Sequence, residues 1–75
     1  AYSQKKKGEE YFIAGENKYA AKEYSTAIME YTMAIEANSK YAEAYYKRGL
    51  AKYYLGDAKG AIADYQLAIK YKSNY

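Results

Sequence analysis

Glu9 and Glu16 stand seven residues apart, so on a helix they share one face two turns from each other. A carboxylate pair is the minimum equipment for general acid–base work, one acid kept protonated and the other not. Nothing in the chain completes such a site. There is no His and no Cys, so the commonest general base, the Ser-His and Cys-His nucleophile pairs and the usual zinc, haem and copper ligand sets are missing. The five glycines are scattered singly and form no phosphate-cradling loop. The two acids therefore read as solvated or ligand-facing side chains. No catalytic residue, metal ligand or cofactor is expected.

The cations offer a second chemistry. Lys5, Lys6 and Lys7 run together, and clustered cations attract nucleic-acid phosphates or anionic lipid. The net charge is only +3, however, and Arg48 is the single Arg among twelve cations, so the planar donors that read base edges are nearly absent. Three lysines near a chain end read more simply as the solvated start of a helix. The longest apolar stretches are short, such as Leu50-Ala51 and Tyr53-Tyr54-Leu55, and residues 1–8 are polar with no apolar run behind them. Neither a membrane span nor a secretory leader is expected, and no nucleic-acid or membrane partner.

The remaining chemistry is aromatic. Thirteen tyrosines in 75 residues, with fourteen alanines but only three leucines and no valine, must be positioned by helices. Ala, Lys and Glu are strong helix formers, and β-branched residues are limited to five Ile and two Thr. With no Pro, breaks fall at Lys22-Glu23, Asn38-Ser39-Lys40, Gly56-Asp57 and Ser73-Asn74. Four segments result, each with the i, i+3, i+4, i+7 recurrence of a buried stripe. Tyr11, Ala14, Gly15, Lys18 and Tyr19 form the first. Tyr24, Ala27, Ile28, Tyr31, Ala34 and Ile35 form the second. Tyr45, Gly49, Lys52 and Tyr53 form the third, and Ala58, Ala61, Ile62, Tyr65, Ala68 and Ile69 the fourth. Asp57 is a good N-cap for the last helix, whereas Glu23 is a weaker one for the second.

The chain also repeats itself. Displaced by 34 residues, positions 8–41 lie over 42–75 without a gap, and twelve of the 34 pairs are identical. Random pairing of this composition gives about four. The identities run from Glu9/Glu43, Tyr11/Tyr45 and Gly15/Gly49 through Ala27/Ala61 and Tyr31/Tyr65 to Ser39/Ser73 and Tyr41/Tyr75. Residues 1–7 form an N-terminal extension, 8–41 the first repeat and 42–75 the second. Each unit is a helix, a short turn and a helix. The class is all-α.

These residues resemble the tetratricopeptide repeat, whose period is also 34. The family's first-helix pattern appears as Tyr11-x2-Ala14-Gly15-x2-Lys18 and Tyr45-x2-Arg48-Gly49-x2-Lys52. Its second-helix pattern appears as Ala27-x3-Tyr31-x2-Ala34 and Ala61-x3-Tyr65-x2-Ala68. Gly15, Gly49 and the small alanines allow close helix approach, with the rings of Tyr11, Tyr31, Tyr45 and Tyr65 filling the space between neighbours. The family's closing proline is replaced by Ser39 and Ser73, so repeat boundaries should be less rigid. Asn38 can end its helix in a left-handed conformation. Lys18 and Lys52 replace an aromatic, and their stems can pack while the ammonium reaches water.

The resemblance implies two helix-turn-helix repeats in a right-handed solenoid fragment, with the first helix of each repeat lining an inner groove. Glu9, Phe12, Ile13, Glu16 and Tyr19 would line it from the first copy. Glu43, Tyr46, Lys47, Leu50, Tyr53 and Tyr54 would line it from the second. An aromatic-rich patch with charges around it suits a peptide segment of a protein partner, although any single ring reads first as packing between helices. One branch of the family grips acidic chaperone tails with Lys and Asn on the first helix. Here Phe12 and Glu16 hold those positions, and Lys47 alone resembles a clamp cation, so that use is not expected. The last helix offers an open apolar side with Leu55, Leu67, Ile69 and Tyr71 as candidates. The alternative function is therefore a self-associating structural unit, a homo-oligomer joined through these uncapped ends.

Overall fold

The computed structural model describes residues 3–72. The elements are α1 (Gln4–Ala20), α2 (Tyr24–Ala37), α3 (Ala42–Tyr54) and α4 (Ala58–Lys72), with no strand among the described residues. The chain is all-α, and three of the four expected breaks fall between these helices. The fourth, Ser73-Asn74, and the pairs Ser39/Ser73 and Tyr41/Tyr75 involve residues outside the described range.

Local chemistry explains each boundary. Ser3 caps α1, its Oγ accepting from the Lys6 N–H at 3.1 Å. The first helix therefore starts four residues ahead of Gly8, and Lys5, Lys6 and Lys7 are exposed on its opening turns. α1 and α3 end in the same way. The Lys22 N–H donates to the Tyr19 carbonyl and the Glu23 N–H to that of Lys18, both at 2.9 Å. Gly56 and Asp57 repeat this pair of bonds on Tyr53 and Lys52 at 3.0 and 2.9 Å. That reversal needs a left-handed residue. Gly56 supplies it at φ 88°, whereas Lys22 carries a side chain there at φ 62°. Asp57 caps α4 through a 2.9 Å bond from the Gly60 N–H, while Glu23 makes no side-chain cap.

Asn38 corrects an expectation. It is extended, at φ −144° and ψ 95°, and not left-handed. Its Oδ1 instead accepts from the Lys40 N–H at 3.1 Å, so the side chain builds the turn and the backbone need not reverse. The missing proline is offset from the next helix, where the Tyr45 hydroxyl donates to the Ser39 carbonyl at 2.9 Å.

α1 packs on α2, α3 on α4, and α3 on α2, so two hairpins nest side by side. Ala27, Ala34, Ala44 and Ala51 are completely buried, as is Tyr31. The glycines set the spacing within each hairpin. A Cβ on Gly15 would lie 2.6 Å from two ring carbons of Tyr31, and one on Gly49 would lie 2.8 and 2.9 Å from ring carbons of Tyr65.

The two repeats bury their stripes unequally. Ile28 and Ile35 are partly buried, but their duplicates Ile62 and Ile69 are 55% and 70% exposed. Tyr53 is exposed at 61% and Ala58 is exposed as well. These four were expected in a buried stripe. Periodicity marks the face a helix offers, whereas burial needs a neighbour, and no third hairpin covers α4 among the described residues.

Candidate docking cleft

The residues expected to line one groove separate into several groups. Phe12 turns inward, its ring 5.7 Å from that of Tyr31 and 5.1 Å from that of Tyr41, between the repeats. Glu16 accepts a short hydrogen bond from the Tyr31 hydroxyl and pairs with the Lys47 ammonium at 3.7 Å. That ammonium also lies 4.6 Å from the centre of the Tyr19 ring. Lys47 is thus engaged within the fold, and Glu16 ties both hairpins together. Glu9 and Glu43 share a recess of about 220 Å3 with Lys5, Asn38, Lys40 and Tyr41. Ile13 stands exposed on α1.

Tyr19 and Tyr54 belong to an aromatic cluster where the repeats meet. Tyr54 stacks on Tyr24 with ring centres 4.9 Å apart and planes 12° from parallel. Tyr19 meets both rings edge-on at 5.5 and 6.2 Å, and Tyr53 meets Tyr54 at 5.8 Å. The Tyr54 and Tyr53 faces remain largely exposed.

The remaining members of the expected groove line a larger opening. Between α3 and α4 lies a cavity of about 690 Å3 with Tyr46, Leu50, Tyr65 and Ile69 as its apolar walls. Ala42 and Ala68 keep its floor low, and Glu43 and Lys72 place opposite charges at its edge. The rings of Tyr46 and Tyr65 pack at 5.8 Å. Partial burial, with Tyr46, Tyr53 and Tyr54 close by, pushes the Tyr65 phenol above its usual value. Of the four candidates for self-association, only Ile69 lines this cavity. Leu55 is exposed beside the α3–α4 turn and Leu67 is partly buried. Tyr71 packs on Tyr45 at 5.6 Å.

A charged network of which helical periodicity gives no sign joins α3, α4 and α2. Asp64 is 2% exposed. Its Oδ1 and Oδ2 accept from Arg48 Nη2 and Nε, both at 2.8 Å, and Lys52 Nζ adds a 3.1 Å contact. The expectation that the Lys52 ammonium reaches water is therefore corrected, because a buried carboxylate draws it inward. Lys18 is half-buried, with its ammonium 3.7 Å from the half-exposed Glu23 carboxylate. Burial alone would raise the Asp64 carboxyl, but the hydrogen bonds and charges of Arg48 and Lys52 outweigh it and hold the group below its ordinary value. Arg48 Nη1 also donates to Thr32 Oγ1 at 3.2 Å, which carries the network across to α2. The available signal was the broken repeat symmetry, with Arg48 and Asp64 standing where the first copy has Ala14 and Glu30.

Both oxygens of Asp64 are occupied, so it is placed to hold helices together and not to exchange protons with a ligand. Among the described residues no helix is long and apolar enough to cross a membrane. No family model, no curated protein and no solved structure matches this chain.

Proposed function

We propose that the protein is a non-enzymatic interaction module that takes a peptide segment of a protein partner in the cleft between α3 and α4. The observation that carries this reading is the cleft itself, an apolar hollow of about 690 Å3 walled by Tyr46, Leu50, Tyr65 and Ile69. Aromatic walls with a charged rim are the composition of interface centres, where Tyr combines area with a hydrogen-bonding tip. Peptides selected from a random display library on the immobilised chain, then measured by calorimetry, test the reading. Tyr46→Ala and Ile69→Asp should each weaken the selected peptides at least tenfold while helix content by circular dichroism is kept. Unchanged affinities would remove the cleft as the site.

A second reading is favoured by Ile62 and Ile69, which lie seven residues apart on one face of α4 and are both exposed. Two copies could cover these faces against each other. Sedimentation velocity decides: a mass that stays monomeric over a wide concentration range removes this reading.

A further inference from the structure

The first repeat already carries an occupant on the face that the second repeat leaves open. Shifting each residue by 34 maps the cleft walls Tyr46, Tyr65 and Ile69 onto Phe12, Tyr31 and Ile35. In the first repeat Tyr31 is completely buried and Ile35 partly so, because α3 lies along α2. The helix that does the covering has a definite character. Its hydrogen bond to α2 comes from Arg48, which reaches Thr32, and Arg48 is flanked by Ala44 and Ala51, seven residues apart and both at 0% exposure. Small side chains on either side of such a contact let helices close on each other.

The same shift gives a reason why a second copy does not stack head to tail on this face. In a head-to-tail stack, α1 of one molecule would lie where α3 lies, with Glu10 and Asn17 in the places of Ala44 and Ala51. Both are exposed on α1. Burying a carboxylate and an amide without partners against Ile69 and Ile62 is unfavourable. The rest of that outward face would fit. Ile13, 59% exposed, would meet Leu50 where Lys47 meets Glu16 in the observed interface. Glu10 and Asn17 therefore oppose head-to-tail stacking.

We infer that the α3/α4 cleft is a receptor for a partner's amphipathic helix bearing two small residues seven positions apart, as α3 does, and that Glu10 and Asn17 exclude the chain's own α1 from it. This inference rests on the cleft being the docking site and adds the chemistry of its occupant.

Two measurements on the full chain test it. The double variant Glu10→Ala, Asn17→Ala turns α1 into an α3-like helix, so its weight-average mass should climb with concentration in sedimentation while the parent stays monomeric. Adding Ile69→Asp should return it to monomer. A double variant that sediments like the parent, with helix content intact, overturns the inference. So does a parent that dimerises on its own and is made monomeric by Ile69→Asp, since a two-fold pairing of α4 faces would then be the occupant. In the second measurement, a peptide of residues 41–55 should shift the amide resonances of Tyr46, Leu50 and Ile69. Its Ala44→Glu, Ala51→Asn version should bind at least tenfold more weakly. Equal binding of the two peptides overturns the inference. If library-selected peptides lacking the small pair still map to the cleft, the inference fails and the docking function stands. If no peptide maps there, both fail.

Discussion

Arg48 and Asp64 face each other across α3 and α4 as a two-pronged pair, Nε and Nη2 each 2.8 Å from a carboxylate oxygen that is almost wholly shielded from water. Their fork-on-fork geometry uses the rigid plane that Arg has and Lys lacks. Removing one partner strands the other charge. Asp64→Asn should therefore cost about 3 kcal/mol in urea unfolding. The double change Arg48→Met, Asp64→Leu should recover part of that loss, because the guanidinium goes with the carboxylate and only the Lys52 ammonium, on a partly exposed side chain, must turn to water.

The same pair makes stability depend on acid. The Asp64 carboxyl is lower in the fold than in the unfolded chain, where it titrates at about 3.9. Its contribution is present in full above that value and fades as pH falls toward the folded value, because the unfolded chain then takes up the proton first. The melting temperature should drop below about pH 4, and the drop should be shallower in Asp64→Asn. Tyr31 acts at the opposite end. Burial and its bond to Glu16 raise the phenol, so its contribution is intact below about pH 10 and declines above it, as the unfolded chain loses the proton first. Phenolate absorbance measured alongside unfolding checks this, and Tyr31→Phe should flatten the alkaline limb.

Gly15→Ala should destabilise by roughly 2 kcal/mol, since the new Cβ would strike a ring enclosed on every side. Gly49→Ala should cost less. Its overlap with Tyr65 is slightly smaller, and that ring borders an open cleft into which it can turn, so the residual cost comes from the Ala61 carbonyl oxygen, fixed 3.2 Å from the new Cβ. Thermal melts of the two variants, taken side by side, would rank them.

Lys22→Gly should raise stability by about 0.5–1 kcal/mol, because it removes side-chain strain at a left-handed position that Gly56 already occupies without cost in the duplicate turn. Gly56→Lys should lose a similar amount. Denaturant midpoints read both.

Helix existence and the nesting of duplicates were legible because local signals agreed with one another. Asp57, Gly56 and the Lys22-Glu23 break are short-range chemistry, and a 34-residue identity pattern leaves few alternatives. Exposure was less legible. Ile35 and Ile69 are the same residue in the same pattern, and only the presence of α3 beside one of them makes them differ. The cleft was half-read for that reason: Tyr46 and Leu50 were assigned to a groove shared with α1, yet they face α4. The Arg48–Asp64 bond joins residues sixteen apart on different helices, a distance at which helical periodicity carries no information. Its trace lay where the copies disagree, at Ala14 and Glu30.

α2 is clasped by α1 and α3, and α3 by α2 and α4, while α1 adds the Glu16–Lys47 pair across to α3; α4 leans mainly on α3. Opening should accordingly proceed from α4 inward, with its amides trading hydrogen for deuterium soonest and those of α2 and α3 last. The α3/α4 cleft borders the helix that opens first. A bound guest would thus register as slowed exchange along α4, and recognition and consolidation of the fold would be one event seen from two sides.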